Sequence, residues 1–385
     1  MVNVLHLINY AGWGSPEKYI ITLAEKLHRK SCRFYLGYFE EGPLLKQAAQ
    51  LGIQTVHIPS GGVLNSSAAF KVRDACRELS IDIIHSHSLR ENFIAALSKL
   101  LGNRAVLIST NHLMGRKNLL LLIYGTLADY LTDRIIAVSS AVKRQIEQGG
   151  IKPDKVEVIN YGVDAEVWTG KRNFLFRREM GIGREEYVIT TVSRFTESDG
   201  LIFLLETAKL LKKMASSGVK LIWRTRFVIV GDGELMDETK KLASMLGLSE
   251  DIIFTGARTD LKNVFLSSDI YVSARENEQP ELSLLEAMAC ELPVIAVEGG
   301  GASELINGPD RCGILVEYGD TDAFVRAIME MAVNRRIYNY YKANTSRIVR
   351  EKYNLDMSVD QTYNLYIKTL GDRQKSLNDS NNMRF

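Results

Sequence analysis

The 385-residue chain has only four cysteines, Cys32, Cys76, Cys290 and Cys312, and none stands at metal-ligand or pairing intervals. That excludes a cysteine-held metal and a disulfide framework, and reads as buried thiols in a reducing compartment. Charge of one sign is lacking too: 48 Lys+Arg face 46 Asp+Glu, a formal net charge of +2, so no nucleic-acid partner is expected. There is no long hydrophobic run. The longest, residues 119–127, is broken by Asp129 and is too short to span a bilayer. No leader is visible before the first apolar stretch, so a cytoplasmic location is expected. Gly231-Asp232-Gly233-Glu234 lacks the third glycine of a dinucleotide fingerprint, which excludes NAD on this evidence. All six histidines lie at or before residue 112. No catalytic triad or metal cluster is apparent among them, and Asp232 stands alone between its glycines, so no metal and no cofactor is expected.

What is present is alternation. Short apolar runs fall at residues 5–8, 34–38, 55–58, 83–85, 106–109, 135–138 and 156–159, with amphipathic stretches between most of them, as at 18–27, 69–79 and 141–148. A second set occupies 187–192, 226–230, 252–255, 270–273, 294–297 and 314–316. This predicts an α/β fold of doubly wound parallel sheets, and the length suffices for two domains. Loss of periodicity from Tyr161 to about Arg178 predicts a link, so the domains are expected at 1–165 and 178–354. Residues 355–371 read as one last amphipathic helix. The polar stretch 372–385 reads as a disordered tail.

The most informative local feature is a pair of carboxylates, Glu278 and Glu286. Leu284, Leu285, Met288 and Ala289 follow at helical spacing, so a helix is expected from about Leu282. Glu278 then sits on the loop before it and Glu286 one turn inside. Backbone N–H groups at a helix start take an anion, and carboxylates accept hydrogen bonds from hydroxyls; a phosphorylated sugar offers both. Such spacing also arises by chance, and a glutamate near a helix start often does no more than complement the dipole. The context adds weight: a buried strand at 270–273 precedes the pair, and a strand at 293–296 follows it. Beyond that strand come Gly299-Gly300-Gly301 and Glu304.

This stretch resembles the donor-binding signature of retaining GT-B glycosyltransferases of family 4 (glycosyl transferases group 1), and the similarity runs from Val4 to about Leu370. The resemblance implies two facing Rossmann-like domains with parallel sheets. The first would be acceptor-side and the second would bind a nucleotide sugar, with the last helix crossing back to the first. It implies transfer of a sugar from a UDP- or GDP-linked donor to a hydroxyl acceptor, with retained configuration and no metal. Cell-surface polysaccharide or glycolipid synthesis is the expected setting.

The same resemblance assigns roles to individual residues. Arg194, at the carboxyl end of a strand, takes the diphosphate, helped by backbone around Gly14 and at Leu282-Ser283. Glu278 holds sugar hydroxyls, Glu286 the ribose, and His112, in Thr110-Asn111-His112, the sugar from the other domain. Gly233 lies beside the nucleotide, and Gly256-Ala257-Arg258 forms the loop that receives the base. Three positions depart from the family pattern. Asp199 stands where a lysine is usual, Glu281 where a glycine is usual, and Ser15 replaces a second glycine. Two extra anions beside a diphosphate keep two other readings open: a sugar-nucleotide epimerase of the same fold, and a non-catalytic relative. The first 170 residues carry 19 Lys+Arg against 15 Asp+Glu. This slight excess, with Arg116, Lys117 and the leucines after them, suits a lipid-linked acceptor or peripheral contact at the inner membrane face. A helix covering the sheet explains those leucines as well.

Overall fold

A computed structural model describes the chain except for Trp13, Lys30, Pro309 and residues 60–65, 112–127, 217–223, 276–281 and 383–385. The described residues form two compact units, Met1–Tyr161 with Asp356–Phe385, and Gly162–Leu355.

The first unit holds a seven-stranded sheet in the order β3-β2-β1-β4-β5-β6-β7. Its strands are β1 (Val2–Tyr10), β2 (Cys32–Glu40), β3 (Gln54–His57), β4 (Ile83–Ser86), β5 (Val106–Asn111), β6 (Arg134–Ala137) and β7 (Val156–Val158). The second holds six, in the order β10-β9-β8-β11-β12-β13. These are β8 (Tyr187–Ser193), β9 (Thr225–Gly231), β10 (Ile252–Gly256), β11 (Ile270–Ser273), β12 (Val294–Val297) and β13 (Gly313–Val316). Every pairing in both sheets is parallel. Parallel strands are covered on both faces, which is why β4, β11 and β12 are buried throughout and read as unbroken apolar runs.

In each sheet the strand order reverses once, between β1 and β4 and between β8 and β11. Beyond the carboxyl ends of the strands at such a reversal, flanking loops diverge and leave a crevice, the usual ligand position in open α/β sheets. The structural question is therefore what stands after Ser193 and after Ser273.

Two expectations need correction. The segment from Tyr161 to Arg178 is no free link. It carries the short helices Ala165–Trp168 and Leu175–Glu179, and from Gly162 onward it belongs to the second unit. Arg177 holds it there. Its guanidinium is 1% exposed and donates to Asp269 Oδ2 at 2.7 Å and to the carbonyls of Ser267 and Glu186, both at 2.7 Å. A single buried charge with saturated partners leaves no periodic signature in sequence. The tail, secondly, is helical: the last helix runs from Leu355 to Asn382. Its buried turns anchor it to the first unit, with Tyr366 Oη 2.6 Å from His85 Nδ1 and Thr362 Oγ1 2.8 Å from Tyr19 Oη. Farther along, Asp372 pairs with Arg134 at 2.8 Å and Arg373 donates to the Ala105 carbonyl at 3.0 Å. Once nucleated, a helix adds one hydrogen bond per residue, so polarity alone did not end it.

Candidate active site

The turn after β8 is built around one carboxylate. Asp199 is 4% exposed. Its Oδ2 accepts hydrogen bonds from the backbone N–H of Arg194 at 2.7 Å, the Ser193 hydroxyl at 2.8 Å and the Thr196 N–H at 3.3 Å. The Ser193 oxygen in turn accepts from the Phe195 N–H at 2.9 Å. These bonds hold Phe195, fully buried, at φ 51°, a left-handed conformation that costs a bulky residue energy and persists only where its surroundings enforce it. Gly200 follows at φ 66°, and a Cβ there would lie 1.9 Å from the Ala274 carbonyl oxygen. Only glycine lets the end of β11 approach this turn so closely. Gly233 serves the same purpose on the other side, where a Cβ would fall 1.9 Å from the Arg194 carbonyl oxygen. The ends of β8, β9 and β11 are thus drawn together around Arg194.

Arg194 itself is exposed, and no side chain among the described residues pairs with its guanidinium. A fork of donors at the sheet's reversal point suits a bidentate phosphate contact. Arg258 behaves otherwise. It meets both Glu179 oxygens at 2.8 and 2.9 Å and both Asp260 oxygens at 2.8 and 3.0 Å. These two carboxylates hold its pKa above the usual arginine range. Its side chain is committed within the fold, which leaves only the backbone of Gly256 and Ala257 for the expected base-binding loop.

Asp199 also differs from its expected place beside a phosphate. Its Oδ2 is saturated by the turn, and its Oδ1 lies 3.3 Å from Nε of Arg275, an ion pair without hydrogen-bond alignment. Sequence reasoning missed Arg275. Its signal was a cation two residues past the end of β11, the strand adjoining β8.

The helix at the paired carboxylates spans Leu282–Ala289, the start expected from the apolar spacing. Apart from Ser283 it is buried on every side, and Glu286 is only 4% exposed in it. A buried carboxylate in an apolar helix must be compensated, so it is retained for an interaction rather than for solubility. The Ser283 hydroxyl lies 3.1 Å from Tyr271 Oη on β11. Glu278, Glu281 and His112 fall outside the described residues.

In the first unit, Gly14 caps the helix Ser15–Leu27 and its N–H donates to Glu17 Oε2 at 2.9 Å. The histidines do gather, against expectation. His6, His85 and His87 are buried with ring nitrogens within 4.8 Å of one another. His85 engages Tyr366 Oη and Thr110 Oγ1, each at 2.6 Å, and His6 Nδ1 lies 2.9 Å from His87 Nε2. Burial lowers the His6 pKa to about 3, so it stays neutral near pH 7. Four of the six ring nitrogens are thereby tied into hydrogen bonds, the arrangement of a core network. Asp320-Thr321-Asp322 has an Asp-x-Asp spacing, and Asp320 Oδ1 accepts from the Ala323 N–H at 2.8 Å as a helix cap.

Comparison with known proteins agrees with this geometry. Residues 16–167 match the profile described as Glycosyltransferase Family 4, and residues 186–334 that described as Glycosyl transferases group 1. The chain belongs to the family 4, group 1 glycosyltransferases. It is 27% identical over 333 residues to the Escherichia coli UDP-Gal:alpha-D-GlcNAc-diphosphoundecaprenol alpha-1,3-galactosyltransferase, covering 79% of this chain and 84% of that one. It is 23% identical over 316 residues to the N-acetyl-alpha-D-glucosaminyl L-malate synthase of Bacillus anthracis, covering 79% of each. The fold is similar to that of Anabaena HepE crystallised in complex with UDP-glucose. There the TM-score is 0.83 at 20% identity, over 97% of this chain and all of that one. The glycosyltransferase therefore has the GT-B fold, with one Rossmann-like sheet in each unit.

Proposed function

We propose that this glycosyltransferase moves a sugar from a uridine-diphosphate donor to a hydroxyl on a lipid-linked or soluble glycan acceptor, with retention at the anomeric carbon. The observation that carries the reading is the exposed guanidinium of Arg194, unpaired among the described residues, on a backbone that the Asp199-centred turn fixes at the reversal point of the second sheet. The departing diphosphate accumulates negative charge, and a preorganised cation there lowers the barrier without reorganisation. The UDP assignment draws on HepE, crystallised with UDP-glucose, and on the UDP-galactose transferase, whose acceptor is a diphosphoundecaprenol glycan; both are relatives.

The internal engagement of Asp199 supports activity. Its carboxylate completes the turn, so it is no repulsive anion at the phosphates. Glu286 is assigned to the ribose, and Glu278 and His112 to the transferred sugar. The acceptor proton passes to the leaving diphosphate, so no protein base is named. Charge neutralisation runs through Arg194 and the N–H groups at Leu282-Ser283 rather than through a metal, so turnover is expected to survive chelation with EDTA.

The test is incubation with labelled UDP-sugars and a diphosphoundecaprenol-linked glycan, with product anomericity read by NMR. An α-linked product from an α-linked donor supports the reading. Conversion of the donor sugar without acceptor makes the protein an epimerase, and no binding of any nucleotide sugar makes it a non-catalytic relative.

A further inference from the structure

At the amino ends of β2 and β3 the first unit has a recess of about 490 Å³, whose lining includes His28, Arg29, Arg33, Gly52 and Gln54. Among the described residues no acid lines it. Arg29 and Arg33 are both exposed, and neither guanidinium has an ion pair or hydrogen bond among the described residues. The backbone under Arg29 is unusual. Arg29 follows the helix Ser15–Leu27 and its cap His28 at φ 64°, a left-handed position that glycine usually fills. Its N–H donates to the Cys32 carbonyl at 3.0 Å and the Ser31 N–H to that of Leu27 at 3.2 Å, which pins the turn between helix and strand. An arginine there costs conformational energy and persists only where its surroundings enforce it. Gly52 leaves the side chain its room, since a Cβ at that position would collide with Arg29 Nη2. His28 adds a donor. Its Nδ1 accepts from the Phe34 N–H at 3.1 Å, so the neutral ring carries its proton on Nε2. Burial, and then the charges of Arg29 and Arg33, lower the His28 pKa, so the ring is neutral near pH 7. Both arginines thus act on one imidazole, and the recess is positive with no carboxylate in its lining to offset it.

We infer that this recess is a second anion site of the protein, one that takes a phosphate group on the guanidiniums of Arg29 and Arg33. Forked guanidinium donors meet phosphate oxygens two at a time, and the His28 Nε2–H is a further, uncharged donor. The ligand chemistry is a phosphate oxyanion, either free in solution or carried in the headgroup of an anionic phospholipid. The recess is built from the first unit alone, at the amino ends of its strands, and does not depend on the reading of Arg194 as a donor-site residue.

The experiment joins calorimetric titration of the full-length protein with inorganic phosphate to co-sedimentation with vesicles of phosphatidylglycerol or of phosphatidylcholine. Wild type is compared with Arg33→Gln and with Arg29→Gln/Arg33→Gln. Two controls are Arg194→Ala and Arg326→Gln/Arg336→Gln, the second removing two exposed charges from the other unit. If the ligand is free phosphate, wild type binds it saturably. The affinity then falls about tenfold or more in Arg29→Gln/Arg33→Gln, falls less in Arg33→Gln, and holds in both controls. If the ligand is a lipid headgroup, the same order appears in retention on phosphatidylglycerol vesicles, with no retention on phosphatidylcholine. The inference is overturned if wild type binds neither phosphate nor phosphatidylglycerol. It is overturned equally if Arg29→Gln/Arg33→Gln, shown folded by its melting curve, binds as wild type does. Equal weakening in either control overturns it too, because the binding would then belong to another site or to net charge alone.

Discussion

At the scale of single residues, environment separates groups that composition cannot. Arg194 and Arg258 both follow sheet strands and are the same residue type, yet one is open and the other is held by two carboxylates. Strand-end position was legible in the sequence, because apolar runs mark where strands stop. Pairing was not, because Glu179 lies 79 positions from Arg258. The same holds for Asp199 and Arg275. Glu91 gives a residue-scale prediction. It is 1% exposed in the first turn of the helix Leu89–Leu100, hydrogen-bonded by Ser88, and burial pushes its pKa from 4.5 up to about 7. The native state therefore binds more protons than the unfolded chain between those values, and stability falls as pH rises through that window. Glu91→Gln stays neutral at every pH. Its melting temperature is expected to gain on wild type between pH 4.5 and pH 7, and a constant difference would contradict this placement of the carboxyl.

At the scale of elements, all thirteen strands among the described residues fall where the apolar runs predicted, most within one or two residues of the expected bounds. Parallel strands buried on both faces carry the strongest local signal, and their order in the sheet follows from right-handed crossovers. Helix ends were less legible. The last helix overran its predicted end, and the two short helices after Tyr161 gave no periodic pattern. Both differences concern segments held by specific polar contacts rather than by an apolar stripe. Arg177→Met is expected to cost about 3–5 kcal/mol by leaving Asp269 short of its buried partner. Arg172→Ala removes a pair whose arginine is 43% exposed, and should cost under about 1 kcal/mol. Urea unfolding of the two variants checks the contrast. Near its end the final helix is held through Asp372 and Arg373. Tyr366→Phe should lower stability by about 1–3 kcal/mol through loss of the hydroxyl that meets the buried His85 nitrogen.

At the scale of the whole molecule, two doubly wound sheets, each with one reversal point, account for nearly all of the chain. This level was the most legible of the three, since alternation over hundreds of residues averages out local ambiguity. The chemistry concentrates in the second unit, where a strained Phe195, two close-packed glycines and a buried acid converge on one exposed arginine. The proposed function gives that convergence an anionic ligand. The most direct test is titration of the intact protein with UDP beside its Arg194→Ala variant. Micromolar binding by wild type that weakens at least about tenfold in the variant is the predicted result. Equal affinity in the two proteins would contradict the account.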